Sequence, residues 1–269
     1  VAVAGKGREI TTEDIARVHE AAKAVSIPMD REILHVIPQV YSVDTQKGVR
    51  DPLHMMGVRL ESEVHIVTTS VTTSQNMAKC VNRAGYRPER RILGCLAASR
   101  AVLSDDERDL GCLLLDIGGG TTDLMVFKEG APWYTAAIPA GGMQVTNDIS
   151  IMLSVLMDSA ERLKREASSC WLESVDADEL IVVPGIGGRE PTEIPRRKLC
   201  AIVQPRMEEI FLMAKEKLEK AGWLKEIKAG VVLTGGASLM AGASELAQSV
   251  FGMPEIGRTS CRERVLIGR

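Results

Sequence analysis

Aromatic residues are scarce in this chain, because phenylalanine, tryptophan and tyrosine make up only 3% of its 269 residues. That is too few for the stacking platforms on which single-stranded nucleic acid is usually bound. Positive charge is not in excess either, since 33 lysines and arginines stand against 36 aspartates and glutamates, for a formal net charge of −3. No overall field draws the chain to an anionic bilayer or to nucleic acid, and nucleic acid is not expected as a partner.

The chain also has no cysteine pairs and no long apolar run. Its cysteines stand singly, with no CxxC pair, which argues against a zinc site and favours a reducing cytoplasm. They are Cys80, Cys95, Cys112, Cys170, Cys200 and Cys261. No apolar run approaches the ~18 residues that would suggest a membrane span. The first residue, Val1, suggests a piece of a longer protein.

The composition is that of a globular protein, with 45% hydrophobic and 26% charged residues. The length exceeds what one core usually holds, which predicts two domains or one domain with a large insertion. Residues 1–68 read as a small helix-plus-sheet module. Its pattern predicts a capped helix from residue 12, a strand over 33–43 with Pro38 at an edge or bulge, a polar loop over 44–52 and a half-solvated strand over 58–66.

After residue 73 the pattern changes to helices alternating with buried strands. Leu113, Leu114 and Leu115 predict a strand covered on both faces. A second strand over 124–127 is expected to turn at Glu129-Gly130 into a third strand. Helices are predicted over 145–156, 160–167 and 205–221, and a further buried strand over 231–233. The second part of the chain is therefore of the α/β class.

The strongest chemical signal directly follows the first buried strand and reads Asp116-Ile117-Gly118-Gly119-Gly120-Thr121-Thr122-Asp123. Three glycines let backbone N–H groups approach phosphate oxygens, and the threonines add hydroxyl donors. An aspartate at the strand end suits Mg²⁺, which prefers oxygen ligands. Neither the Walker pattern nor the spaced glycines of a dinucleotide fold is present. An ordinary glycine hairpin is the structural alternative, and phosphate binding is the favoured interpretation.

Two weaker signals accompany it. Gly235 and Gly236 follow the buried strand over 231–233, where a tight strand-to-helix turn would explain them equally well. Together with the first glycine stretch they suggest a second wall of one nucleotide cleft. Glu161, Lys164 and Arg165 share one turn of a predicted helix, which taken alone indicates only a solvated charged face.

With these motifs in place, the chain resembles the FtsA family of actin-like bacterial cell-division proteins from about residue 11 to residue 252. The segments that carry the resemblance are Leu34 to Gln39, Gly57 to Leu60, Val64 to Thr68, Asp106 to Gly111, Asp116 to Asp123, Ile138 to Gly142 with Val145-Thr146, and Val231 to Gly236. The glycine motifs are common to actins, heat-shock chaperones and sugar kinases. The segment His35-Val36-Ile37-Pro38 is more specific to FtsA.

The resemblance implies an actin-like ATPase fold of the α/β class, incomplete at its ends. By this comparison residues 1–68 are the FtsA-type inserted α+β subdomain, 69–110 the remainder of the first actin-like domain and 111–255 the second one. The residues 256–269 do not match beyond the first two or so, and they look like a translated sequencing adapter. Family members open with another glycine and threonine hairpin that is not in this chain. We therefore expect this chain to bind ATP poorly, and its uncovered sheet edge makes it prone to aggregate.

The resemblance also implies a ligand set. Gly118, Gly119, Gly120, Thr121 and Thr122 would hold the ATP phosphates, and Asp116 and Asp123 would lie near Mg²⁺. Glu161 and Lys164 look like ribose and adenine contacts, and Gly235 and Gly236 like the adenosine loop. No catalytic residue is identified, so weak or absent ATP hydrolysis is expected.

In such proteins the function is polymerisation at the cytoplasmic face of the bacterial inner membrane, at the division site. The implied partners are FtsZ, further copies of the chain and later divisome proteins bound through residues 1–68. The membrane would be reached through a C-terminal amphipathic helix that this chain does not include. The main alternative is a pilus-assembly or shape-determining relative. A chaperone-type ATPase or a small-molecule kinase would place a different subdomain in the first half.

Overall fold

The computed structural model describes residues 7–185, 187 and 190–253. The chain divides into two compact units, one built from the residues up to 97 with 130–133, the other from 98–129 with the residues from 134 onward. The tail predicted over 256–269 lies outside the described residues. Its origin therefore stays a prediction.

The first unit contains a small antiparallel sheet. Its elements are β1 (Arg8–Glu9), α1 (Thr12–Ala22), β2 (Arg31–Val43), β3 (Gln46–Val49), β4 (Met56–Gly57), β5 (Leu60–Ser70) and α2 (Val71–Arg83). Three strands form one sheet in the order β3-β2-β5, and β1 pairs separately with β4. Helix α3 (Gly94–Val102) follows them in the chain. The helix-plus-sheet character predicted for residues 1–68 is confirmed over residues 7–68, the part of this range that the structure describes.

Helix α1 begins at the predicted capping box, formed by Thr11 and Asp14. The Asp14 carboxylate is 1% exposed and accepts hydrogen bonds from two guanidinium nitrogens of Arg8, at 2.7 and 2.8 Å, and from the Thr11 amide at 3.0 Å. The Arg8 and Thr11 hydrogen bonds hold the pKa of Asp14 well below its usual range. The carboxylate therefore stays charged and fixes the start of the helix.

Strand β2 runs through Pro38 without ending. Its register against β5 shifts between Pro38 and Val40, so the proline lies at a bulge, as predicted for a residue without a backbone donor. Two other predictions were wrong. Strand β5 begins at Leu60, and Val58 is 51% exposed. The segment 44–52, predicted to be a polar loop, contains strand β3. Val49 at the end of this strand is buried in the small core of the unit.

The second unit is built around a four-stranded sheet of order β11-β6-β7-β8. Its elements are α4 (Asp105–Leu110), β6 (Cys112–Ile117), β7 (Thr122–Lys128), β8 (Ala131–Ile138), α5 (Gly142–Leu153), α6 (Met157–Glu166), β9 (Leu180–Val183), β10 (Thr192–Pro195), α7 (Arg196–Lys220), β11 (Gly230–Thr234) and α8 (Ala243–Phe251). Strand β11 is parallel to β6, and β6 is antiparallel to β7. Strands β9 and β10 form a separate antiparallel pair.

The core of the second unit lies between this sheet and its helices. Leu113, Leu114 and Leu115 are fully buried, which confirms that β6 is covered on both faces. Strands β7 and β8 are joined by Glu129 and Gly130, both with positive φ, as a type I′ hairpin turn requires.

Helix α7 begins at Arg196, so the start predicted at residue 205 was wrong. Pro205 lies inside the helix. Buried side chains on both sides of it, including Leu199, Val203 and Met207, hold the helix together across the missing donor.

Four of the five cysteines among the described residues lie in the cores. Cys95, Cys112, Cys170 and Cys200 are buried and reduced, and Cys80 is exposed on α2. Burial raises the pKa of the Cys112 and Cys170 thiols to about 12, so both stay protonated.

Candidate functional site

Two glycine turns lie side by side at one edge of the sheet in the second unit. Strands β6 and β11 are parallel neighbours, with Asp116 opposite Thr234, so their carboxyl ends coincide. Gly235 has a φ of +87°, and a Cβ at this position would lie 2.5 Å from both Oδ1 of Asp116 and the carbonyl oxygen of Ile117. The second turn therefore packs on the end of β6 in a way that only glycine allows.

The loop between β6 and β7 is closed by its own backbone and continues into helix α5. The Gly118 N–H donates to the Thr121 carbonyl at 2.9 Å. The carbonyls of Gly118 and Gly119 accept from the N–H groups of Gly142, at 2.9 Å, and Met143, at 2.7 Å. The first turn of α5 is thus bonded directly to the glycine loop, and these two amides are already occupied.

The predicted phosphate-loop residues differ in their surroundings. Gly119, Gly120 and Thr121 are exposed, and a Cβ at either glycine would meet no atom of the described residues within 4 Å. Thr122 is 0% exposed, and its hydroxyl donates to the Ala140 carbonyl at 2.8 Å. The hydroxyl of Thr122 therefore supports the segment before α5.

Asp116 and Asp123 face each other across strands β6 and β7. Both are half-buried. Burial raises the pKa of Asp116. Burial also raises the pKa of Asp123, and the charge of Asp116 raises it further. Within the described part of the chain neither carboxylate forms an ion pair, so two like charges face each other with incomplete solvation.

This pair fits a magnesium ion that takes the rest of its shell from phosphate and water. Mg²⁺ is commonly held by one or two carboxylates together with substrate phosphates. The described residues contain no cluster of three or more histidine, cysteine or acidic side chains that could hold a metal alone. Asp116 and Asp123 are the residues that would hold the ion, and it would offset their mutual repulsion.

Lys164 and Glu161 on α6 form a compact polar network with α5. The Lys164 ammonium donates to Glu161 Oε2 at 2.6 Å, to Thr146 Oγ1 at 2.8 Å and to the Gly142 carbonyl at 3.1 Å. These three bonds use all the donors of the ammonium. Burial raises the pKa of Glu161, but the hydrogen bonds from Lys164 and Thr146 lower it more, so the pKa lies below its ordinary value.

A cavity of about 660 Å³ opens beside the glycine loop, within the usual size range of ligand pockets. Five of the predicted site residues line it: Gly118, Gly119, Glu161, Lys164 and Gly236. The other predicted site residues lie outside its lining: Asp116, Gly120, Thr121, Thr122, Asp123 and Gly235. Gly118 and Gly236 lie more than 100 residues apart in the sequence, with the polar turn of α6 between them, and all three meet around one cavity.

The cavity also has a residue that sequence reasoning missed. Arg196, the first residue of α7, donates through Nε to the Ala167 carbonyl at 2.6 Å and through Nη1 to Glu179 at 2.7 Å. No local pattern singles it out, because only the fold brings it to the cavity. The lining holds three cationic side chains, Lys164, Arg165 and Arg196, against two acidic ones, Glu161 and Glu166, a balance that favours an anionic ligand.

Solved structures with the same architecture are actin-like. The structure of MreB5 of Spiroplasma citri bound to ADP matches with a TM-score of 0.60 and 19% identity, covering 74% of this chain and 64% of that one. The PilM-PilN type IV pilus biogenesis complex matches with a TM-score of 0.62 and 14% identity, covering 92% and 63%. The fold is therefore that of the actin-like ATPases, as predicted.

Sequence comparison identifies the family. The profile described as "Cell division protein FtsA" matches residues 113–267, and that of the "SHS2 domain inserted in FTSA" matches residues 1–68. The first match reaches into the tail predicted to lie outside the family. The chain belongs to the FtsA family, and it contains the inserted subdomain of that family.

The relatives are cell-division proteins from distant bacteria. FtsA of Pseudomonas aeruginosa is 47% identical over 252 residues, which are 94% of this chain and 60% of that protein. FtsA of Bacillus subtilis is 40% identical over 251 residues, 93% and 57%. FtsA of Escherichia coli K12 is 38% identical over 250 residues, 90% and 60%. This chain thus spans about 60% of the length of the relatives that it matches.

The close approach of Gly235 to the end of β6 predicts that a larger residue at position 235 destabilises the protein. Gly235→Ala should lower the free energy of unfolding by about 2 kcal/mol or more, because its φ is strained for alanine and the new Cβ would collide with the backbone of β6. The matched control is Gly236→Ala, where a Cβ has no neighbour within 4 Å in the part of the chain that the structure describes. Urea unfolding of the three chains measures both effects. Equal stability of the two variants would contradict the close packing of Gly235 on Ile117.

Proposed function

We propose that the cavity beside the glycine loop binds ATP. The observation that carries this proposal is the convergence of both glycine turns and the Glu161–Lys164 pair on one cavity. A nucleotide needs amides or cations for its phosphates and a separate polar contact for its sugar and base, and the lining offers both kinds of group.

The contacts of the site residues support a division of roles among them. The exposed backbone of 119–121 is the part of the loop that phosphates can approach. Asp116 and Asp123 would hold Mg²⁺, which would neutralise phosphate charge. Gly236 and Glu161 would contact the adenosine. Thr122 and Lys164 would act mainly by supporting the loop and the first turn of α5, since their polar atoms are already bonded there.

We infer from the family that the complete protein acts in cell division as an ATP-dependent scaffold with weak or no ATPase activity. It would polymerise on the cytoplasmic face of the inner membrane at the division site, tether FtsZ and recruit later divisome proteins through residues 1–68. The membrane contact would come from a C-terminal amphipathic helix. Among the described residues no helix is long and apolar enough to cross a bilayer.

The pilus-assembly and shape-determining alternatives receive less support. The MreB5 and PilM structures share the fold at 19% and 14% identity, whereas the FtsA relatives reach 38–47%. Identity at this higher level extends over both the inserted subdomain and the glycine motifs. A role in cell division is therefore the favoured one.

ATP binding can be tested by saturation-transfer NMR, which also detects affinities weaker than micromolar. We expect saturable ATP binding by this chain and at least a tenfold loss in Gly236→Val, because the new side chain would occupy open space at the cavity. The matched control is Gly94→Val on α3, where a Cβ likewise lies more than 4 Å from every other described residue that could obstruct it. Undiminished binding by the Gly236 variant, or no saturable binding by the parent chain, would refute the assignment.

Replacing Asp116 with asparagine should have opposite effects on thermal stability and on Mg²⁺-dependent ATP binding. Since burial raises its pKa, the charged form costs folding free energy as the pH rises through the ordinary range of an aspartate and beyond. Asp116→Asn should therefore unfold at a higher temperature than the parent at pH 7, with the difference disappearing in acid. The same variant should lose the Mg²⁺-dependent part of ATP binding.

The exposed carboxylate of Glu193 provides the control, because Glu193→Gln should change neither property. Thermal unfolding from pH 3 to 8 and ATP titrations with and without Mg²⁺ measure the two effects. An Asp116 variant that keeps full Mg²⁺ dependence would remove this residue from the metal site.

Partner choice can be tested by co-sedimentation. We expect this chain, or a version extended to the length of its relatives, to pellet with FtsZ polymers and to remain in the supernatant with unpolymerised FtsZ. Sedimentation that does not depend on FtsZ polymers would instead indicate aggregation. Failure of the extended protein to pellet would count against the FtsZ-tethering role.

A further inference from the structure

Helix α5 carries a buried hydroxyl that none of the assigned ligand roles uses. Thr146 is 2% exposed and lies one turn after Gly142. Its Oγ1 is 2.5 Å from Glu161 Oε2, 2.8 Å from Lys164 Nζ and 3.0 Å from the Gly142 carbonyl oxygen. One hydroxyl thus touches two charged side chains of α6, Glu161 and Lys164, and the backbone that bonds to the glycine loop.

The protons available on Lys164 and Thr146 determine the direction of these hydrogen bonds. The ammonium of Lys164 can only donate, so Thr146 Oγ1 accepts from it. The single hydroxyl proton then goes to Glu161 Oε2 or to the Gly142 carbonyl. The carboxylate oxygen is both nearer and charged, and charge-assisted hydrogen bonds are the stronger ones. Thr146 and Lys164 therefore hold the same oxygen of Glu161.

The other oxygen of Glu161 is left available. Oε1 makes no hydrogen bond within the described ranges of the chain, the Glu161 side chain is 44% exposed, and the residue lines the cavity. An ionised carboxylate only accepts hydrogen bonds. Its natural partner in a ligand is a hydroxyl donor, such as the 2′- or 3′-hydroxyl of a ribose.

We propose that Thr146 is a positioning residue that fixes Glu161 through Oε2, so that Oε1 accepts from a ribose hydroxyl and the cavity prefers ribonucleotides over deoxyribonucleotides. The inference rests on the proposed nucleotide site and on the ribose contact that the resemblance already implies for Glu161; what it adds is the positioning role of Thr146 and the dependence of the sugar preference on its hydroxyl. Without the Thr146 hydroxyl, Glu161 is held by Lys164 alone and can turn about its side-chain bonds.

The test compares the parent chain with Thr146→Val, which removes the hydroxyl at nearly constant volume, and Thr146→Ser, which keeps it. Competition saturation-transfer NMR gives the Kd values for ATP, 2′-dATP and 3′-dATP. We expect the parent and the serine variant to prefer ATP over one deoxy analogue by about tenfold, as a hydrogen bond to a charged group allows. In Thr146→Val this preference should fall below about threefold.

A purely structural role predicts a different result. In that case Thr146→Val would weaken all three nucleotides equally and leave their ratio unchanged, which would overturn the proposal. Measurable ATP binding by the parent without any sugar preference would overturn it too, while leaving the nucleotide site intact. No binding of any nucleotide by the parent would refute both. If the valine variant does not fold, Thr146→Ala removes the hydroxyl without adding a methyl group and carries the same expectations.

A second readout needs no nucleotide. Hydrogen bonds from Lys164 and Thr146 lower the pKa of Glu161, and the charges of Lys164 and Arg165 lower it further. Carboxyl ¹³C titration should show this pKa rising in Thr146→Val and Thr146→Ala and staying low in Thr146→Ser. An unchanged Glu161 titration in a folded variant without the hydroxyl would contradict the positioning role.

Discussion

The parallel pairing of β6 with β11 is the constraint on which the site depends. It places Asp116 opposite Thr234 and ends both strands at the same sheet edge. The side chains before these ends, Leu115 and Leu233, are buried in the core. Both strands are buried on both faces, so a slip of one residue would exchange the side chains that pack against the two layers, and close packing of those side chains sets the register. The positions of the polar groups follow from that packing.

Several side chains that the sequence suggests as ligand contacts form their hydrogen bonds within the protein instead. The hydroxyl of Thr122 and the ammonium of Lys164 are buried or nearly so, and a buried polar group without a partner costs free energy. Their bonds fasten the β6–β7 loop and the first turn of α5 into a single rigid support. The groups left accessible are the backbone of 119–121, the carboxylates at the loop ends and one oxygen of Glu161. Preorganised supports of this kind leave little to be ordered when a ligand arrives.

The fold was predictable wherever local pattern and burial agree. The leucine run of β6, the left-handed Glu129-Gly130 turn and the capping box at Thr11 each specify their structure from a few adjacent residues. Helix α7 was not, because Pro205 suggests a helix start and only tertiary packing carries the helix through it. The same limit applies to the site. Both glycine turns could be recognised from the sequence, whereas Thr146 and Arg196 reach it through contacts that no spacing encodes.

The distribution of thiols among the described residues allows local opening of the structure to be measured by thiol alkylation. Cys80 is exposed, whereas Cys95, Cys112, Cys170 and Cys200 are enclosed by the cores. A maleimide dye should therefore attach to α2 first under native conditions. The enclosed thiols become reactive only when their surroundings open, so their rates of alkylation report local opening of each unit residue by residue. Cys170 and Cys200 flank Ser169, close to the cavity lining, so a change in their protection would report whether a ligand in the cavity alters local opening there.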